Sequence, residues 1–166
     1  MSWTCSRCGE EHEGLPHDLA FDAPMHWDGG KSESDELTDD LCVWTDDGGE
    51  RAFFIRGLLT IPVLDADDDF RYGVWSSLSA ASFERVVELW DDPARVEEEP
   101  YFGWLSNSIP GYPETVNLPL SVVTASLELR PSFLLHDGDH PLVREQREGI
   151  TTARVRELAE LNLHPA

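Results

Sequence analysis

The chain has 166 residues, 40% of them hydrophobic, three cysteines and a formal net charge of −21. That charge excludes nucleic acid and anionic lipid as partners, because both are bound through clustered basic groups. Three cysteines are too few, and an odd number, for a disulfide scaffold.

The length suits a single domain over residues 1–166, with a cysteine knuckle over 1–20 and an α+β core over 40–166. No apolar run nears the roughly 20 residues a membrane-crossing helix needs. The start, Met1-Ser2-Trp3-Thr4-Cys5, lacks the basic-then-apolar order of a signal peptide. A cytoplasmic protein is expected.

In chain order, residues 4–18 read as a loop-rich knuckle punctuated by Gly9, Gly14 and Pro16. Residues 22–40 are polar and acidic, a surface segment with a short helix near Ser32 to Leu37. Order returns at Leu41-Cys42-Val43-Trp44. Asp46-Asp47-Gly48-Gly49 then forms a hairpin turn into Arg51–Gly57, since Asp-Gly or Gly-Gly between β-prone runs supplies the required positive φ. The run continues to Leu64, with Gly57 marking a bulge or bend and Pro62 a strand end. After the turn Asp65–Asp69, Phe70 to Leu78 is another strand.

Ser79 or Ser82 caps a helix whose Phe83, Val86, Val87 and Trp90 fall on one face, and Asp91-Asp92-Pro93 ends it. Residues 94–119 form a long connection rich in proline, glycine and aromatics. Leu120–Leu129 and Ser132–Leu135 read as strands. Asp139 caps a helix with Pro141 in its first turn and Gly149 at its left-handed end. Thr151 or Thr152 opens the last helix. Strands cluster instead of alternating with helices, so the expected class is α+β with an antiparallel sheet.

Cys5-Ser6-Arg7-Cys8-Gly9 has the form of a zinc knuckle: two thiolates three residues apart in a tight turn, followed by glycine. A structural zinc takes four ligands. The remaining two are sought among Cys42, His12, His17 and His26. The first choice is Cys5, Cys8, His12 and Cys42, with His17 as the substitute for His12. Such a thiolate-rich shell leaves no open position, so the zinc is structural: a clip tying the N-terminal segment to the strand of Cys42. A redox pair would follow a strand and open a helix, which Gly9 opposes. A buried, unligated Cys42 is the alternative.

Other constellations are weaker. Asp65–Asp69 imitates a calcium loop but has Phe70 where glycine is due and Ser76 where Glu is due. His136-Asp137-Gly138-Asp139-His140 reads as a turn and a helix cap. Nucleophile and phosphate-loop signatures are missing. The connection carrying Tyr101, Phe102, Trp104 and Tyr112 is the best recognition surface, because proline-rich loops hold rigid aromatic anchors.

Six blocks, in order, carry a resemblance: C-x-x-C-G-x-x-H-x-G-L-P from Cys5 to Pro16, D-L-C-V at 40–43, F-F-I-R-G at 53–57, Y-G-V-W at 72–75, Y-F-G-W-L at 101–105 and D-H-P-L-V-R-E-Q-R-E-G-I at 139–150. Together they resemble the bacterial family of unknown function DUF2199. The resemblance implies no activity. It implies that Cys5, Cys8, His12 and Cys42 match positions in the family's motifs. The expectation is therefore a zinc-stabilised binding or adaptor module with a protein partner. The alternatives are a small enzyme with a pocket near 101–112 and 139–145, or an acidic inhibitor or immunity protein for a basic toxin.

Overall fold

The computed structural model describes residues 2–4, 9–13, 18–30 and 32–163, with backbone alone for 2, 3, 12, 13 and 163. The chain runs β1 (Ser2–Thr4), β2 (Glu11–Glu13), β3 (Asp18–Ala20), β4 (Glu36–Leu37), β5 (Leu41–Thr45), β6 (Arg51–Ile61) and β7 (Phe70–Leu78). There follow α1 (Ala80–Glu88), a 3-10 turn (Pro93–Glu97), β8 (Tyr101–Trp104), β9 (Pro119–Val123), β10 (Ser132–Leu135), α2 (Pro141–Glu148) and α3 (Thr152–Leu163).

The spine is the antiparallel pair β6–β7, in register from Phe53↔Leu78 to Ile61↔Phe70. Side chains alternate across a strand, so one face carries Ile55, Leu59 and Ile61 from β6 with Phe70, Tyr72 and Val74 from β7. These six are buried and share the main core with Leu120, Val122 and Phe133. Burying each such side chain contributes about 1.5–3 kcal/mol. The opposite face carries Phe54 and Trp75, which pack with Cys42 beneath Phe21, Trp27, Leu37 and Trp44. Trp75 Nε1 donates to the Phe21 carbonyl at 2.9 Å, pinning the 21–37 segment over this second, smaller core.

The sheet follows the order β3-β7-β6-β10-β9-β8, with β5 also on β6. An antiparallel bridge, Ser76↔Leu105, joins β7 back to β8, so β7, β6, β10, β9 and β8 close into a small barrel. Gly103 makes the seam possible: a Cβ there would lie 2.5 Å from the Ser77 carbonyl oxygen. Ser106 N–H then donates to the Trp75 carbonyl at 2.8 Å. Gly57 allows a second close approach, with the Pro131 carbonyl oxygen 2.8 Å from where its Cβ would stand.

The α+β class holds, but the sheet is mixed and not antiparallel: β10 runs parallel to β6, and β3 parallel to β7. The reason is topological. The chain leaves β7, crosses through α1, β8 and β9, and returns beside β6, which no local turn signal encodes. Three local expectations also change. Residues 32–37 form turns and β4, with no helix. The connection 94–119 holds the 3-10 turn and β8. Its partner β9 stops at Val123, and 124–129 leaves the sheet, exposing Leu127 and Leu129.

Capping follows the sequence more closely. Ser79 accepts from Ser82 N–H and opens α1. The cap of α2 is His140, not Asp139; its Nδ1 accepts from Leu142 N–H at 3.1 Å with Pro141 in the first turn. Gly149 closes α2 at φ 87. Asp65 accepts from both the backbone and the hydroxyl of Thr152, at 2.8 Å each, so the acidic turn serves as a cap for α3.

Candidate functional site

The register of β8, β9 and β10 decides what their outer surface displays. Phe102 faces Ser121, and Ser121 faces Leu134, so these three form one row across the strands. Trp104 faces Pro119, whose carbonyl accepts from His136 N–H at 3.0 Å, giving a second row. Phe102, Trp104 and Leu134 are 50%, 45% and 52% exposed, so about half of each large apolar surface meets water. The two aromatic rings meet edge to face, with centroids 4.9 Å apart. Phe102 also lies 5.5 Å from the His136 ring, and His136 Nε2 shares a 2.8 Å hydrogen bond with Ser121 Oγ. These contacts hold the patch in shape.

Parity along β8 explains why these side chains point outward. Gly103 is pressed against β7, which turns its neighbours Phe102 and Trp104 away from the barrel. Tyr101 points inward. It is packed against the main core, and its hydroxyl donates to Glu98 Oε1 at 2.8 Å. Burial first, and then the Glu98 hydrogen bond, pushes its phenol up to about 12.

Tyr112 is likewise partly buried, packed against the main core. Its hydroxyl donates to Glu145 Oε2, while Arg154 Nε donates to Glu145 Oε1 at 2.8 Å and the guanidinium lies over the Tyr112 ring. Burial, then the neighbouring Tyr72 and Glu145, raise the Tyr112 phenol far above its usual value. This network ties the 106–117 loop to α2 and α3. Of the four aromatics expected to form a recognition surface, the structure brings Phe102 and Trp104 together outside and takes Tyr101 and Tyr112 inside. Leu134, His136 and Ser121 complete the face and were not anticipated. The signal that could have found them is the alternation of Phe133, buried, with Leu134, exposed.

Of the ranges 101–112 and 139–145 expected to line a pocket, the structure joins Tyr112 and Glu145, with Arg154. Asp139 offers its carbonyl to Arg144. Glu114 accepts from Val116 N–H in its own turn.

Cys42 is 1% exposed among Phe54, Trp75 and the rings above them. In the same layer the His26 ring stacks on Phe54 and lies tilted against Trp44, each at 5.6 Å between centroids. Burial, and then Asp35, raises the Cys42 thiol from 9.0 to about 12. Cys5, Cys8 and His17, and the side chain of His12, lie outside the described residues. Among the described residues no group of three or more His, Cys, Asp or Glu converges as a metal site. No helix among them is long and apolar enough to cross a membrane.

No curated protein and no solved structure matches the chain. The sequence profile of DUF2199, described as an uncharacterized protein conserved in bacteria, matches residues 4–150. All five strands of the barrel and the outer aromatic face fall inside that span, and the chain belongs to the DUF2199 family.

Proposed function

We propose that this protein is a binding module that docks a basic segment of a partner protein on the outer face of β8, β9 and β10. The observation that carries this reading is the contiguous exposure of Phe102, Trp104 and Leu134 on a regular sheet. Adjacent large apolar side chains at the surface mark interaction sites, and aromatic anchors dominate their energetics. Charge supports the choice of partner. Glu97 and Glu99 precede β8 and Asp139 follows β10, while Glu98 and Asp137 are already paired with Arg85 and Arg147; Arg130 is the only lysine or arginine from 97 to 140. Partner arginine or lysine side chains gain long-range attraction from the carboxylates and contact with the Trp104 ring.

The test is selection from a library of displayed random peptides, run in parallel on the wild type and on a Phe102→Ser/Trp104→Ser variant. Wild type is expected to enrich sequences that combine apolar residues with arginine or lysine. Those peptides should bind the variant at least about tenfold more weakly, the loss expected from one aromatic anchor. Peptides that are acidic, or that bind both proteins equally, overturn the reading.

The proposal includes a structural zinc held by Cys5, Cys8, His12 and Cys42, with His17 replacing His12 if the spacing demands it. Two observations support a knuckle. Thr4 pairs with Glu11, so the segment carrying both cysteines begins and ends at neighbouring backbone positions. Gly9, directly after the pair, has φ 74, a left-handed conformation suited to glycine. Elemental analysis of the wild type, Cys5→Ser and Cys42→Ser checks the ligand set. About one zinc per chain, lost in both variants, is expected of a four-ligand site. Retention of zinc by Cys42→Ser removes Cys42 from the ligand set.

A further inference from the structure

The second feature of note lies where β6 changes neighbours. Along one edge its first half pairs with β5, at Leu41↔Ile55, and its second half with β10, at Ser132↔Leu58. The two neighbours diverge at this fork. Arg56 N–H donates to the Asp40 carbonyl and Leu58 N–H to the Pro131 carbonyl, each at 2.9 Å. Between them opens a cleft of about 470 Å³, walled by the end of α1 on one side and by 124–131 on the other. That volume falls within the roughly 300–1,000 Å³ of small-molecule sites.

The apolar part of its lining comes from Ile55, Val86, Leu89, Trp90 and Leu127. The 124–131 wall is fixed by Arg95. Its guanidinium donates to the carbonyls of Ala125 (3.0 Å), Ser126 (2.6 Å), Leu129 (3.3 Å) and Trp90 (3.0 Å), so four of its five N–H groups are engaged in holding the wall. Arg130 is different. Its Nε donates to Asp40 Oδ1 at 3.0 Å, and its two terminal nitrogens have no partner among the described residues. The second Asp40 oxygen and the carboxylates of Asp91 and Glu128 line the same cleft.

We infer that this cleft binds an apolar α-amino acid, its carboxylate on the terminal nitrogens of Arg130, its ammonium toward Asp40, Asp91 and Glu128, and its side chain on the apolar floor. A plain carboxylate matches Arg130 but meets the surrounding carboxylates. A plain amine matches the carboxylates but leaves the Arg130 donors unused. A zwitterion satisfies both, and the planar guanidinium grips a carboxylate through two parallel hydrogen bonds. This site is separate from the docking face and does not depend on it.

Calorimetric titration of the full chain with phenylalanine, phenylacetate and phenethylamine tests this, because the three share one apolar body and differ in charge. Phenylalanine should saturate at millimolar concentration, with both analogues at least about tenfold weaker, the loss expected of one charged hydrogen-bonding group. Arg130→Gln should weaken phenylalanine by a similar factor. The Arg130 and Asp40 side chains are 40% and 37% exposed, so the fold survives this change. Leu127→Asp, which places a charge on an exposed part of the apolar wall, should also weaken it. Absence of saturable phenylalanine binding, equal affinity for phenethylamine, or unchanged affinity in either variant overturns the inference.

Discussion

Replacing Gly103 with alanine tests how the barrel seam creates the outer aromatic face. The new Cβ would stand 2.5 Å from the Ser77 carbonyl oxygen, and Ser76 Oγ is nearer still. The φ at Gly103 is not positive, so alanine is not penalised by its own backbone. The carbonyl belongs to β7 and cannot rotate away as a side chain would. Overpacking of this kind costs up to about 3 kcal/mol, and the lower unfolded-state entropy of alanine offsets about 1 kcal/mol. The net loss is then about 2 kcal/mol, which for a chain of this size lowers Tm by about 4–8 °C. Differential scanning calorimetry measures it. Adding Ser76→Ala removes the nearest obstacle but leaves the Ser77 carbonyl, so about half of the loss should return in a double-mutant cycle. A Gly103→Ala protein with the wild-type Tm would refute the seam, and with it the reason Phe102 and Trp104 face outward.

Two further outcomes follow from groups inside the fold. Glu145→Gln weakens the acceptor shared by Tyr112 and Arg154. The Glu145 and Arg154 side chains are 20% and 21% exposed, so solvent screens part of the loss. A fall of about 1–2 kcal/mol in the urea unfolding free energy is expected, against no change if the network is incidental. Cys42 makes stability fall at alkaline pH in metal-free protein. Its thiol is raised from 9.0 to about 12, so the contribution is complete below 9.0 and is lost as pH rises through about 12. Urea midpoints across that range should fall in the wild type and stay flatter in Cys42→Ala. Equal slopes would show that the thiol does not carry the effect.

How much was legible depended on whether local chemistry set the outcome. Ser79 opens α1 through its hydroxyl and Gly149 closes α2 because it lacks a side chain, and the apolar runs before and after Asp65 become β6 and β7. The parallel neighbour of β6 was not legible, because Ser132 and Leu58 meet only through a long crossover. β8 was hidden because aromatics occupy both of its faces, Tyr101 inward and Phe102 outward, which erases the alternation. The composition of 101–112 pointed to recognition, but only the position of Gly103 against β7 separates surface from interior. Arg130 carried no local signal at all. Its role comes from Asp40, ninety residues away in sequence and 3.0 Å away in space.

The claim that most of this account depends on is that the outer face of β8, β9 and β10 receives a basic partner. It is tested most directly by an NMR titration of isotope-labelled protein with a library-selected basic peptide. The account predicts that the shifts concentrate at Phe102, the Trp104 indole, Leu134 and His136, and that they shrink as salt is raised. Shifts confined to α2 and α3, or an affinity indifferent to salt, would contradict it.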